Sequence, residues 1–229
     1  MAMTRAMPRV LMPLRPRNIQ LAIFDLDGTL VDAYPAITDS INHMLKEMGL
    51  PAQSLRVVRR SVGFGVDSLV RCFVPEKDAV RALAIFRAHH DVRLRQNIRL
   101  LPGVKTLLPF LRQRGCGLAI ASNRPTIFCR LILETLGIAS YFDHVVCGDA
   151  VKRAKPHPDM LQLILRQSGV PMREAVYVGD MTVDVACARG AGVFSIAVPT
   201  GSCTRAELEA VHPDALIGRI SQVRGFFRK

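Results

Sequence analysis

Residues 21–32 read LAIFDLDGTLVD. Leu21–Phe24 is a short apolar run that ends at two carboxylates one residue apart, Asp25 and Asp27, with Gly28 next in line. A run of this length bounded by acids reads as a fully buried strand. Its carboxyl end is where open α/β sheets bind ligands. Gly28 lets the backbone turn away without a side-chain clash. Burying two adjacent carboxylates is costly unless a cation neutralises them. For two hard oxygen ligands the simplest cation is Mg²⁺. The stretch therefore predicts a Mg²⁺ phosphoryl-transfer site with an aspartate nucleophile.

Downstream, the apolar period changes to that of a helix. Ile37, Ile41, Met44, Leu45 and Met48 mark one face, and Gly49 stops it. From Pro51 to about residue 100 the pattern is helical with no convincing strand, and it contains the loop Ser61-Val62-Gly63-Phe64-Gly65. A helical block placed directly after the first strand reads as a separate cap. Pro102-Gly103 restarts an alternating pattern. A helix carrying Val104, Leu107, Leu108 and Leu111 precedes a strand Leu118–Ala121 that ends in Ser122-Asn123. A helix from Pro125 to Gly137, a strand His144–Cys147 and a helix from Pro158 to Gly169 come next. A strand Ala175–Val178 then ends in Gly179-Asp180, and a short helix to Gly190 leads to a last strand, Val193–Val198. Alternation of this kind gives an α/β fold, a Rossmann-like parallel sheet with an inserted small helical cap. The expected domains are a basic flexible arm (1–19), the core (20–32 and 101–229) and the cap (33–100).

Carboxyl ends of parallel strands all point one way, so polar residues there converge. Those residues are Asp25 and Asp27, Ser122 and Asn123, Lys155 after the strand ending at Cys147, and Asp180. Phosphoryl transfer needs a nucleophile, charge neutralisation and a proton donor. Asp25 suits attack on phosphorus. Asp27 suits proton transfer. Lys155 and Ser122 suit the phosphate oxygens. Asp180 and Asp184, four apart at a helix start, suit a metal ligand and a group behind it; helix capping is the plainer role for both. His157 reads as a turn residue. His89 and His90 are adjacent on a helix, so their rings are expected to diverge. His43 and His212 carry no signal.

The net charge is +12 and the sequence pI about 10.1. Such a balance raises nucleic acid or anionic surfaces as partners. The chain has no Trp and three Tyr, however, so aromatic platforms for stacking bases are missing and nucleic-acid binding is not expected. No apolar run reaches bilayer-spanning length, and none resembles a secretory signal. Six cysteines without a CxxC pair read as reduced thiols of a cytoplasmic protein, a monomer or homodimer. Residues 51–100 hold ten Lys/Arg against four Asp/Glu, a cap charge that favours an anionic substrate.

In DLDGTLVD, ASNRP, KPHP and GDMTVD, taken in order, the sequence resembles the haloacid dehalogenase superfamily. Within it, SVGFGVDSLV, PGVKTLLPFLRQRG and GDAVKRAKPHP are similar to the phosphoglycolate phosphatase group. The resemblance implies a cap of the C1 type inserted after the first motif. It assigns Asp25 as nucleophile, Asp27 as acid and base, and Ser122 and Lys155 to the second and third motifs. It also implies Mg²⁺ held by Asp25, the Asp27 backbone carbonyl and Asp180, with Asp184 behind them. Arg59, Arg60, Gly63, Gly65 and Asn123 are the further candidates for binding a small phosphorylated metabolite, with 2-phosphoglycolate the expected substrate. Pyrophosphatase, sugar-phosphate phosphatase or mutase chemistry, and a basic anion-binding protein on the same fold, are the competing readings. Arg124 stands where the group commonly has Lys, Met181 where a small residue is usual and Ala33 where Ser is usual.

Overall fold

The computed structural model describes residues 18–227; most of the basic arm lies outside them. Six strands build one parallel sheet: β1 (Leu21–Phe24), β4 (Gly117–Ser122), β5 (His144–Cys147), β6 (Ala175–Gly179), β7 (Phe194–Ala197) and β8 (Ala215–Leu216), in the order β5-β4-β1-β6-β7-β8. β1 lies at the middle, with Phe24 facing Ile120 of β4 on one side and Val178 of β6 on the other. The chain winds outward from β1 through β4 to β5, then returns to β6 on the other flank. That reversal opens a crevice at the carboxyl end of β1.

Alternate residues of β1 enter different cores, as a strand's two-residue period requires. Ala22 and Phe24 join Leu107, Leu108 and Leu111 of α5 (Val104–Gln113) and Ile132 of α6 (Thr126–Thr135). Leu21 and Ile23 join Met160, Leu161 and Ile164 of α7 (Asp159–Ser168) and Cys187 and Ala188 of α8 (Thr182–Ala191). Helices thus cover both faces, which is why the strands read as continuous apolar runs. β8 and the short α9 (Arg205–Ala210) were not expected; six helical and two strand residues leave little periodicity to read.

The helical insert leaves through β2 (Val31–Asp32) and returns through β3 (Arg99–Leu100), which pair antiparallel as a two-residue neck. Arg99 Nη2 donates to Asp32 Oδ2 at 2.7 Å across it. The expectation of no strand from Pro51 to about residue 100 is corrected here by β3, since two residues fall below any periodic signal. Between the strands lie α1 (Tyr34–Glu47), α2 (Leu55–Ser61), α3 (Val66–Arg71) and α4 (Ala79–Gln96). Ile37, Ile41, Met44 and Leu45 of α1 meet Leu83, Phe86 and Leu94 of α4 within the same apolar cluster that holds Phe24. Cap and core therefore share one core.

All six cysteines are free. Cys116, Cys129, Cys147 and Cys187 are buried, whereas Cys72 is exposed. No described helix is long and apolar enough to cross a membrane.

Candidate active site

Asp25 directly follows β1 and extends its ladder, with its N–H donating to Val178 O at 2.9 Å. Its carboxylate is buried, and Oδ1 accepts from Lys155 Nζ at 2.7 Å. Lys155 Nζ also donates to Asp184 Oδ1 at 2.8 Å and to Tyr177 Oη at 3.0 Å. Three protons therefore have three partners. The Tyr177 hydroxyl lies 2.9 Å from Ala121 O and 3.0 Å from Asp184 Oδ1, both acceptors for its proton. Burial opposes the Lys155 charge, but Asp184 and Asp25 outweigh it and raise its pKa. The Lys155–Pro156 peptide is cis.

Asp180 ends the neighbouring strand and is fully buried. Its Oδ1 accepts from Thr29 Oγ1 at 3.2 Å and its Oδ2 from Ser202 N at 2.8 Å. The carboxylate sits in a socket that only glycine permits, because a Cβ at Gly201 would overlap it and one at Gly28, where φ is 81°, would come within 2.7 Å. Asp184 takes the capping role with one oxygen and turns the other to the lysine. Its Oδ2 caps α8 by accepting from Met181 N at 2.9 Å, while its Oδ1 faces Lys155.

Asp25, Asp180 and Asp184 each offer an oxygen within 4.8 Å of the others. Burial pushes the Asp25 carboxyl up to about 6 against the pull of Lys155, and burial with Asp25 and Asp184 nearby raises Asp180 well above the carboxylate range. Three buried carboxylates against one ammonium leave a deficit of two positive charges. A divalent cation fits that deficit and the hard-oxygen donor set. The Asp27 carboxylate is not among the three: its Oδ1 and Oδ2 are both taken by Arg124, from Nη2 and Nε, at 2.8 Å each.

The cleft above these groups encloses about 510 Å³, open solvent at its mouth included. Asp25, Asp27, Ser122, Asn123, Arg124 and Lys155 form its core wall; Ile37, Gly63, Gly65, Val66, Leu69, Phe86 and His90 form its cap wall. The Ser122 hydroxyl is buried and only weakly engaged, accepting from Arg124 N at 3.4 Å.

Several placements differ from expectation. Arg59 and Arg60 do not line the cleft. Arg59 donates to Gly201 O at 2.9 Å and Thr200 O at 2.6 Å and lies over the Tyr34 ring. Arg60 donates to Ser202 O and pairs with Glu207. Both tie cap to core, because α2 ends against the 200–207 loop rather than over β1. The Asn123 side chain is also spent on protein, donating to Gly63 O at 2.8 Å and Lys155 O at 3.1 Å and accepting from Lys155 N at 2.9 Å. It clamps the cap loop to the lysine loop. His89 and His90 share one partner, the Ser40 hydroxyl, which lies 3.3 and 3.0 Å from their Nδ1 atoms, while the His89 ring stacks on His43 and the His90 ring on Phe86. Tyr177, Thr29 and Ser202 escaped the sequence reading, and His90 was read there only as one of an adjacent pair. Tyr177 alone had a visible signal, a polar tip inside the apolar strand AVYVG.

The model of the haloacid dehalogenase-like hydrolases matches residues 22–198. A plasmid-borne phosphoglycolate phosphatase of Cupriavidus necator is 35% identical over 201 residues, covering 85% of this chain and 87% of its own. That of Yersinia pseudotuberculosis is 33% identical over 214 residues, covering 90% and 92%. Among solved structures, a predicted phosphoglycolate phosphatase from Haemophilus somnus 129PT superposes with a TM-score of 0.87 at 28% identity, covering 92% of this chain and 98% of its own. The chain belongs to the haloacid dehalogenase-like hydrolase family. Within it, the chain is a phosphatase, a phosphoric monoester hydrolase.

Proposed function

We propose that the enzyme is a Mg²⁺-dependent phosphatase that hydrolyses 2-phosphoglycolate to glycolate and phosphate through an aspartyl phosphate. The observation that carries this reading is the state of Asp25. Its Oδ1 is fixed by Lys155, while Oδ2 accepts no hydrogen bond among the described residues and the side chain lines the cleft. Oδ2 attacks phosphorus, the phosphorus–oxygen bond to glycolate breaks and the phosphoryl group rests on Asp25. Asp27 gives a proton to the departing oxygen, then takes one from the water that attacks the phosphoaspartate. That attack returns Asp25 as a carboxylate and releases phosphate. Ser122 and Lys155 serve the phosphoryl oxygens, and Gly63 and Gly65 bring cap backbone to the cleft without side chains.

Asp25, Asp180 and the Asp27 backbone carbonyl would hold Mg²⁺, with Asp184 behind them. Bound there, the ion offsets carboxylate–phosphate repulsion and acts as a Lewis acid. The relatives named above support the substrate. Residues 33–100 serve as the lid and residues 20–32 with 101–229 as the catalytic core. The free thiols support a cytoplasmic setting.

The test is phosphate release from 2-phosphoglycolate, with sugar phosphates and pyrophosphate in parallel. Release should require Mg²⁺, stop with EDTA and return when Mg²⁺ is restored. Metal-independent turnover, or isomerised sugar phosphate with little free phosphate, would overturn the reading.

A further inference from the structure

We propose that Arg124 receives the carboxylate of the substrate while it holds Asp27. This rests on the phosphatase reading above and adds the residue that selects acidic substrates. Arg124 follows β4 and lines the cleft beside Asp25, Asp27, Ser122 and Lys155. Lys155 and Arg124 are the two Lys/Arg residues of the lining, and the three protons of Lys155 are already matched. The cap's basic residues do not help. Of its eleven, Arg59 and Arg93 are half-buried and the rest exposed, and none lines the cleft.

A guanidinium has five N–H groups. In Arg124, Nε and Nη2 each give one to Asp27, and Nη1 gives one to His90 Nε2 at 2.9 Å. One N–H on each terminal nitrogen is left, with no acceptor among the described residues. Together these two are a second pair of donors suited to a carboxylate. A lysine at this position has a single ammonium and no second edge.

The guanidinium plane is fixed from the cap side. Arginine only donates, so His90 Nε2 accepts and its proton sits on Nδ1, toward Ser40 Oγ at 3.0 Å. The Ser40 hydroxyl in turn donates to Ala36 O at 2.9 Å. The His90 ring is stacked on Phe86, with centroids 4.7 Å apart, and edge-on to Phe128 at 5.2 Å. The other cap-wall side chains near it, Ile37, Val66, Leu69 and Phe86, offer no charge. An uncharged substrate tail would leave both donors unpaired in the closed cleft, the arrangement that discriminates most strongly against it.

The experiment compares kcat/KM for 2-phosphoglycolate with that for ethyl phosphate, which lacks the carboxylate, in the wild type, R124K and R124Q. Thermal melts confirm folding of each variant. The acid-to-neutral ratio should exceed one in the wild type and fall about 100-fold in R124Q, chiefly through KM. It should fall in R124K as well, and added ethylguanidinium should restore part of it in R124Q. A ratio left unchanged in R124Q, with both substrates slowed alike, would overturn the proposal and reduce Arg124 to a support for Asp27. Equal turnover of the two substrates by the wild type would also overturn it, whether or not the variants fold. If the wild type prefers another acidic phosphoester, such as 3-phosphoglycerate, and R124Q erases that preference, Arg124 keeps this role while 2-phosphoglycolate loses its place as substrate.

Discussion

The two walls of the cleft are built on opposite plans. The core wall and the residues directly behind it concentrate charge. Asp25, Asp180, Asp184 and Lys155 are all buried, and the ammonium is bonded directly to two of the carboxylates. The cap wall, from the more basic part of the chain, is mostly apolar, and its one ionisable side chain, His90, faces an arginine of the core. Net charge thus says little about where charge acts. Most of the cap's arginines are exposed, where a charge reaches anions only over a Debye length of about 8 Å at physiological salt. The reacting groups come from strand ends that only the core possesses. The proposed chemistry belongs to one wall, while the other shapes the space and braces Arg124.

That contrast can be broken from either side. The largest effect should follow Asp25→Asn on the core wall. Phosphate release should fall at least about 10⁴-fold while the melting temperature holds, because a carboxylate is lost from an over-acidic cluster and little packing with it. Full turnover in this variant, read by free-phosphate assay, would remove the covalent route.

A smaller effect is expected of His90→Phe on the cap wall. Burial and then Arg124 lower the His90 pKa from 6.5 to about 2. Its folded pKa lies below the unfolded one, so below pH 6.5 the unfolded chain takes a proton that the native protein refuses. Wild-type stability should therefore decline as pH falls from 6.5 toward 4, by as much as about 1.4 kcal/mol per pH unit from this group. The variant lacks that contribution, so denaturant titrations of the two proteins should converge as pH falls. Parallel curves would show that His90 is protonated in the native state.

The smallest effect should be that of Arg60→Ala. Its ion pair with Glu207 is between side chains 47% and 40% exposed and screened by solvent, so its loss should leave the melting temperature almost unchanged. KM for 2-phosphoglycolate should change less than about twofold. A tenfold rise would return Arg60 to the binding site and undo the division between the walls.

What the sequence disclosed follows the same division. The strands and the groups at their ends were legible because a buried parallel strand is a short apolar run and its functional residue is the next polar one. Asp25, Ser122 and Asp180 obey that rule; Lys155, eight residues past the end of β5, was read instead from the stiff Pro156-His157-Pro158 turn that follows it. Arg124 was visible as a departure from its group, but its forked pairing with Asp27 was not, since 97 residues separate the two. His90 and Ser40 lie on two different helices, and their meeting depends on how α1 packs on α4. Arg59 and Arg60 were misplaced for the same reason: a charge beside a glycine loop does not disclose which way its helix faces.

The neck at Val31 and Leu100 makes the insert modular. Its two ends are held in neighbouring strands, so the sheet meets some seventy residues of insert as it would a tight turn. The register of β1, and with it the spacing of Asp25 and Asp27, does not depend on what is threaded between the ends. A different helical cassette spliced at this neck would give the core a new specificity, provided that it also covers Phe24 and supplies Arg124 with an acceptor in place of His90.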